Sequence, residues 1–199
     1  MRPVALFTSA AAPILLVGGW MFAEVLQPPG FDPVRDTISQ LAALDATDRA
    51  VMTTALIGTG AAYLATAYAF GGVRRLGRLL IAIGGVGTIL VAAFPLPAYP
   101  LAHALSAGVA FLALAAWPLF AADRGEGAAR ALRPPLTVVA GIVLLALVAW
   151  FAVAQQADVL VGLAERVAAA AQATWPFIVA LSLRNVSSRL ADQRTAASS

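Results

Sequence analysis

Apolar positions along the chain fall in long unbroken runs, not in the alternation of a strand or the single stripe of a soluble helix. Pro3 to Ala23, Ala50 to Val73, Pro134 to Ala157 and Val167 to Leu183 contain no Asp, Glu, Lys or Arg. Leu79 to Ala122 is a charge-free run of double length, interrupted by Pro95, Pro97 and Pro100. A helix needs about 20 mostly apolar residues to cross the hydrocarbon core of a bilayer. Prolines break a helix by removing a hydrogen bond and clashing with the preceding turn. Splitting the double run at them predicts six spans, near 4–26, 49–70, 78–96, 101–122, 135–155 and 163–183. The expected fold is all-α: a polytopic membrane protein with a six-transmembrane-helix bundle over residues 1–184. One long outer loop should carry a short helix, and the polar, Ser-rich segment 185–199 reads as a disordered cytoplasmic tail.

Composition narrows the class further. Apolar residues make up 61% of the chain and charged residues 12%, against about half and about a quarter in soluble domains. Disorder needs the opposite balance, and a soluble chain of 199 residues could not hide so much apolar surface from water. There is no Cys, which removes disulfides, thiolate nucleophiles and iron–sulfur ligation. The lone histidine, His103, excludes a multi-histidine metal or haem site within one chain. All 13 basic residues are Arg, so a Schiff-base lysine and a Walker phosphate loop are excluded too. No cofactor is expected. The net charge of +3 is small and the arginines sit between apolar runs, so nucleic acid is not an expected partner. Membrane lipid and a small amphiphile are the partners the composition suits; oligomeric state is open.

Arginine placement orients the bundle. With the N-terminus inside, ten arginines (2, 74, 75, 78, 124, 130, 133, 184, 189 and 194) face the cytoplasm and three (35, 49 and 166) face out. This positive-inside bias places both termini in the cytoplasm; Ala- and Arg-rich usage without Lys suggests a GC-rich bacterium, so the expected location is a bacterial inner membrane. The first span has a basic start, but its apolar stretch is longer than a signal-peptide core and Met21 stands where a small residue would be needed, so it reads as a retained anchor. Gly58 and Ala62, Gly84 and Thr88, and Ser106 and Ala110 are small pairs four apart that could let helices approach closely. An Ala- and Gly-rich composition is a sufficient account of them. Trp20, Trp117, Trp150 and Trp175 read as an interfacial belt, Pro118 and Pro176 as bends, and Glu24 as a headgroup-level acid.

The connection from Gln27 to Asp48 is much longer than the others, and long loops between packed elements are often functional. Thr37-Ile38-Ser39-Gln40 is a capping box, which predicts a short helix near 38–44 with Ile38, Leu41 and Leu44 on one face. Thr47 is placed to cap the second span.

The stretch Asp36-Thr37-Ile38-Ser39-Gln40-Leu41-Ala42 after Pro33, the prolines before span four, His103 just inside it, and Gly162-Leu163-Ala164-Glu165-Arg166 opening span six together resemble one family. It is the bacterial six-span membrane family named domain of unknown function 998. The resemblance covers nearly the whole chain and rests on the order and spacing of these short motifs. It implies a six-helix membrane protein and, as the name says, no assigned activity. Many relatives carry an acidic residue at the position of Gln40, so the resemblance brings no carboxylate role to that position.

The candidate outer polar site comprises Asp32, Arg35, Asp36, Ser39, His103, Glu165 and Arg166. Polar groups at membrane depth are expensive and face a cavity or a partner. They could line a ligand site, or they could clamp the loop onto the bundle through ion pairs and hydrogen bonds. Ser39, His103 and Asp36 are hydrolase-triad types, but no nucleophile-elbow pattern surrounds Ser39. His103, Asp36 and Glu165 can bind zinc but lack ligand spacing. No residue is therefore assigned a catalytic or metal role. Arg166, near a helix start where the dipole disfavours a cation, needs a carboxylate, and Asp36 is the expected partner. Two function classes follow. One is a non-catalytic binding, sensing or assembly protein; the other is a transporter or intramembrane enzyme acting on a lipid-like or small amphiphilic substrate.

Overall fold

A computed structural model describes residues 3–125 and 127–197, with side chains described for 4–125 and 127–186. Six α-helices carry the chain: α1 (Pro3–Val25), α2 (Ala50–Ala69), α3 (Arg75–Ala93), α4 (Pro100–Ala121), α5 (Pro134–Ala157) and α6 (Val161–Ala197). Two short 3-10 turns, Ser39–Ala42 and Arg130–Leu132, complete the secondary structure, and the described residues contain no strand. Each of the six helices is long and apolar enough to cross a membrane. The start of α3 lies at Arg75 rather than 78, because its first turn accommodates both charges: Arg75 is exposed, and the Arg78 guanidinium donates to the Ala67 and Tyr68 carbonyls at the end of α2. α6 runs on to Ala197, through most of the segment expected to be a disordered tail; Ser198 and Ser199 lie outside the described residues. Its Ala-, Leu-, Arg- and Gln-containing sequence favours helix, and extending a helix avoids the cost of nucleation.

Consecutive helices pack in chain order, and α6 returns to pack on α1, closing a ring. Short connections at 70–74, 94–99 and 158–160 force the neighbours they join to run antiparallel. α5 packs on both α4 and α6 and links them in the ring. Gln172 of α6 reaches α4 directly, donating to the Phe111 carbonyl at 2.9 Å. The small residues do more than reflect composition: α2 and α3 cross where Gly60 and Gly85 leave no room for a Cβ on either side, and Gly84 and Gly87 let α3 lie against Leu114 and Ala110 of α4.

Large apolar side chains such as Phe7, Ile14, Leu101, Ile142 and Val153 are exposed around the circumference, as expected of a surface solvated by lipid tails. Trp20 and Trp117 do not join an interfacial belt. Both are buried, and Trp117 packs against Phe70 with ring centroids 6.4 Å apart. Hydropathy cannot tell an inward from an outward tryptophan.

Residues 26–49 fold over one end of the bundle. The capping box forms as expected: Gln40 N–H donates to Thr37 Oγ1 at 3.2 Å, and Thr37 N–H donates to Gln40 Oε1 at 2.7 Å. The helix it starts is a four-residue 3-10 turn, so Ile38 and Leu41 are buried while Leu44 lies beyond it and is exposed. α2 begins at Ala50 with Arg49 at its N-cap and no side-chain cap. Thr47 pairs instead through its backbone N–H and carbonyl with the Gln27 side-chain amide, which ties the two ends of the loop together.

Candidate functional site

The site grows from the unsatisfied backbone at the start of α6. The first N–H groups of a helix lack intrahelical acceptors. Here Gly162 N–H donates to the Arg35 carbonyl at 3.2 Å and Leu163 N–H to the Val34 carbonyl at 3.1 Å. The long loop therefore caps α6 with its own backbone. Gly162 makes the approach possible: a Cβ there would collide with the carbonyl oxygens of Asp36 and Pro33.

α6 returns the contact. Glu165, only 5% exposed, accepts the Ile38 N–H on Oε2 at 2.5 Å and the Ser39 hydroxyl on Oε1 at 3.2 Å. Its carboxylate lies at the N-terminus of the 3-10 turn, where a negative charge is favoured. Arg166 follows. Its Nε donates to Glu24 Oε1 at 2.8 Å, and Nη2 lies 2.6 Å from the same oxygen as an ion-pair contact. Nη1 donates to the Asp36 carbonyl at 2.6 Å and to the Gly162 carbonyl at 3.0 Å. Adjacent residues on a helix point in different directions, so Glu165 and Arg166 grip the loop at two places. Together these contacts make a latch.

The expected ion pair changes partner. Arg166 pairs with Glu24, not with the Asp36 carboxylate; from Asp36 it takes only the main-chain carbonyl. The Asp36 carboxylate turns back to accept the Asp32 N–H at 2.7 Å, and Asp32 accepts the Val34 N–H at 2.9 Å, so both acids build the turn they belong to. Arg35 lies 3.7 Å from Asp32 with its side chain 84% exposed, and takes no part in the latch through its side chain. His103 is buried, as expected of an inward-facing imidazole, and its Nδ1 lies 2.9 Å from the Phe94 carbonyl at the end of α3. Ser39, Glu165 and Arg166 thus form one centre with the Asp36 backbone. The triad types Ser39, His103 and Asp36 each have a separate partner. Among the described residues no three His, Asp or Glu side chains gather closely enough to hold a metal ion.

Glu24 is the member that sequence reasoning missed. A signal for it existed. An acid in the last turn of a helix opposes the dipole, just as a cation in the first turn does. Glu24 ends α1 and Arg166 starts α6, so each residue is misplaced alone and the two satisfy each other.

Beneath the latch lies a narrow cavity of about 60 Å³ between α1, α2, α3, α4 and α6. Ile38 and Ser39 roof it, and Leu16, Leu56, Val91 and Phe111 are among its apolar walls. Glu165, Thr59, Thr88 and Gln172 contribute polar side chains. Thr88 donates to the Gly84 carbonyl, but the buried Thr59 hydroxyl has no hydrogen-bond partner. By the space one water needs, roughly 10–15 Å³, the cavity holds a few waters or a short methylene segment.

A six-helix bundle with an apolar circumference and a loop locked over one end defines a multi-pass membrane protein. The chain belongs to the family described as Protein of unknown function (DUF998), which it matches over residues 9–182. Both halves of the latch lie inside that match. No curated protein and no solved structure matches the chain.

Proposed function

We propose that this chain is a non-catalytic binding or sensing protein of the bacterial cytoplasmic membrane, with both termini in the cytoplasm and the latch facing outward. Its ligand is a small amphiphile or a lipid-derived chain held in the cavity beneath the latch. The observation that carries this reading is how the latch uses its polar groups. Glu165, Arg166 and Ser39 are committed to the loop's backbone and to Glu24, and the carboxylate of Asp36 and the ring of His103 are bound elsewhere. No set of these groups converges on a point where a reacting atom could sit, which an active site requires. The Ser39, Thr88, Glu165 and Gln172 side chains of the slot have partners within the protein, and the unpartnered Thr59 hydroxyl supports a ligand with one polar group on an apolar body.

The test is to purify the full chain in a mild detergent and identify co-purifying small molecules by mass spectrometry, beside an Ala107→Phe variant that fills the cavity. One amphiphile class should be retained by the parent and lost from an equally stable variant. Equal retention by both proteins, or no retained molecule in the parent, would remove the cavity from the proposal.

A further inference from the structure

At the opposite end of the bundle, α5 and α6 separate into a hollow of about 770 Å³ whose rim includes Arg130, Arg133, Ser182 and Asn185. It runs into an apolar groove of about 490 Å³ between the same helices, sharing the walls Leu136, Trp175 and Ile178. Both volumes fall in the range of small-molecule sites, roughly 300–1,000 Å³. The groove is open to the side, since Val139 and Val143 on its α5 wall are 57% and 49% exposed.

The two arginines stand on an anchored base. The 3-10 turn Arg130–Leu132 is held by the Ala131 N–H donating to Ser182 Oγ at 3.1 Å and by Asp123 N–H donating to the Leu132 carbonyl at 2.8 Å. Ala131 and Leu132 are buried beneath it. Such a turn repeats every three residues, so residues 130 and 133 fall on one side. Among the described residues neither side chain has an ion-pair or hydrogen-bond partner. Arg78, at the same end, is by contrast committed to the Ala67 and Tyr68 carbonyls. Among the described residues no acidic side chain lines the hollow or the groove.

We propose that the α5–α6 groove binds one anionic phospholipid, with its phosphate on Arg130 and Arg133 and an acyl chain lying along the groove. Guanidinium groups suit phosphate oxygens by geometry as well as charge. Basic pockets between membrane helices take anionic headgroups. The sideways opening onto exposed apolar residues admits a chain from the bilayer, whereas a free water-soluble phosphate would gain nothing from the apolar floor. The site is independent of the central cavity, because α5 does not line that cavity.

The full-length protein in a neutral detergent is titrated with phosphatidylglycerol or phosphatidylcholine of matched chains, and bound lipid is read by native mass spectrometry. A basic residue near an anionic lipid is worth about 1 kcal/mol, or about fivefold in affinity. The two arginines together should favour phosphatidylglycerol by about 25-fold. The Arg130→Gln/Arg133→Gln double variant should lose this preference, each single variant should lose about fivefold, and the double Lys variant should keep most of it. Ala171→Phe, which fills the groove and leaves both arginines, should weaken both lipids. Equal binding of the two lipids, or a preference that survives loss of both arginines, would overturn the proposal. Displacement of the lipid by millimolar inorganic phosphate would reduce the site to an anion site without a chain. A lipid-free dimer that Ala171→Phe converts to monomer would make the groove a subunit contact instead.

Discussion

Replacing Arg166 by Met removes the cation and keeps much of the length of the side chain. Arg166 donates to the Glu24 carboxylate and to the Asp36 and Gly162 carbonyls, with its side chain 11% exposed and that of Glu24 21% exposed. Loss of one member of a buried pair costs about 3–5 kcal/mol, because the other charge is left desolvated. The partial exposure of Glu24 lets water recover some of that, so about 3 kcal/mol is expected. Glu24→Gln keeps an acceptor and loses the charge, at a smaller cost. Directly interacting residues couple by about 0.5–3 kcal/mol in a double-mutant cycle, and Glu24 with Arg166 should fall in the upper half of that range. Asp36→Ala supplies the contrast. Arg166 binds the main-chain oxygen of Asp36, which Ala retains, so Arg166 and Asp36 should be additive within about 0.5 kcal/mol. Unfolding the full chain in mixed micelles with increasing sodium dodecyl sulfate, followed by tryptophan fluorescence, measures both cycles. Additivity between Glu24 and Arg166, or stronger coupling to Asp36 than to Glu24, would refute the assignment.

Gly162→Ala should push the loop off α6 at an overpacking cost of about 1–3 kcal/mol. Amide exchange should accelerate across residues 34–42 and stay unchanged in α2 and α3; an unchanged loop would show that the close approach is dispensable. Thr59→Val replaces an unpartnered buried hydroxyl with a methyl group and should be neutral or slightly stabilising. A loss above about 1 kcal/mol would mean that the cavity holds a partner for that hydroxyl. A phosphatase fused after Ser199 should be inactive in a bacterial periplasmic assay, and one fused after Asp45 should be active; the reverse pattern would invert the proposed orientation.

Much of the architecture was legible because membrane spans are specified by continuous local composition. All six runs became helices, and the capping box between Thr37 and Gln40 formed because it needs only a three-residue spacing. The length of the element it started was not legible. An α-helical face would include Leu44, but the chain turns after Ala42, where Ala43 leaves the helical conformation. The demand of Arg166 for a carboxylate could be read from the helix dipole. Its partner could not be read from proximity along the chain, since Glu24 lies 142 residues away. Applying the same dipole argument to Glu24 would have matched the two. The roles of Gly162 and of the Val34 and Arg35 carbonyls were out of reach, because backbone capping between distant segments leaves little trace in side-chain type.

The exchange of caps between the loop and α6 also bears on the order of assembly. Residues 34–39 leave the ribosome well before their acceptors and donors on α6 are made. Until Glu165 arrives, the Ile38 N–H lacks its carboxylate, and until the loop is in place the first turn of α6 lacks its cap. Contacts this far apart in sequence carry a high loop-closure cost while the intervening chain is unfolded, and a much lower one once its helices have packed. The latch is therefore expected to close after the intervening helices have packed. A chain ending just before Gly162 would hold α1 to α5 with an open seam beside α1, and the unpaired Val34 and Arg35 carbonyls and Ile38 N–H of its loop would set it apart from the finished molecule.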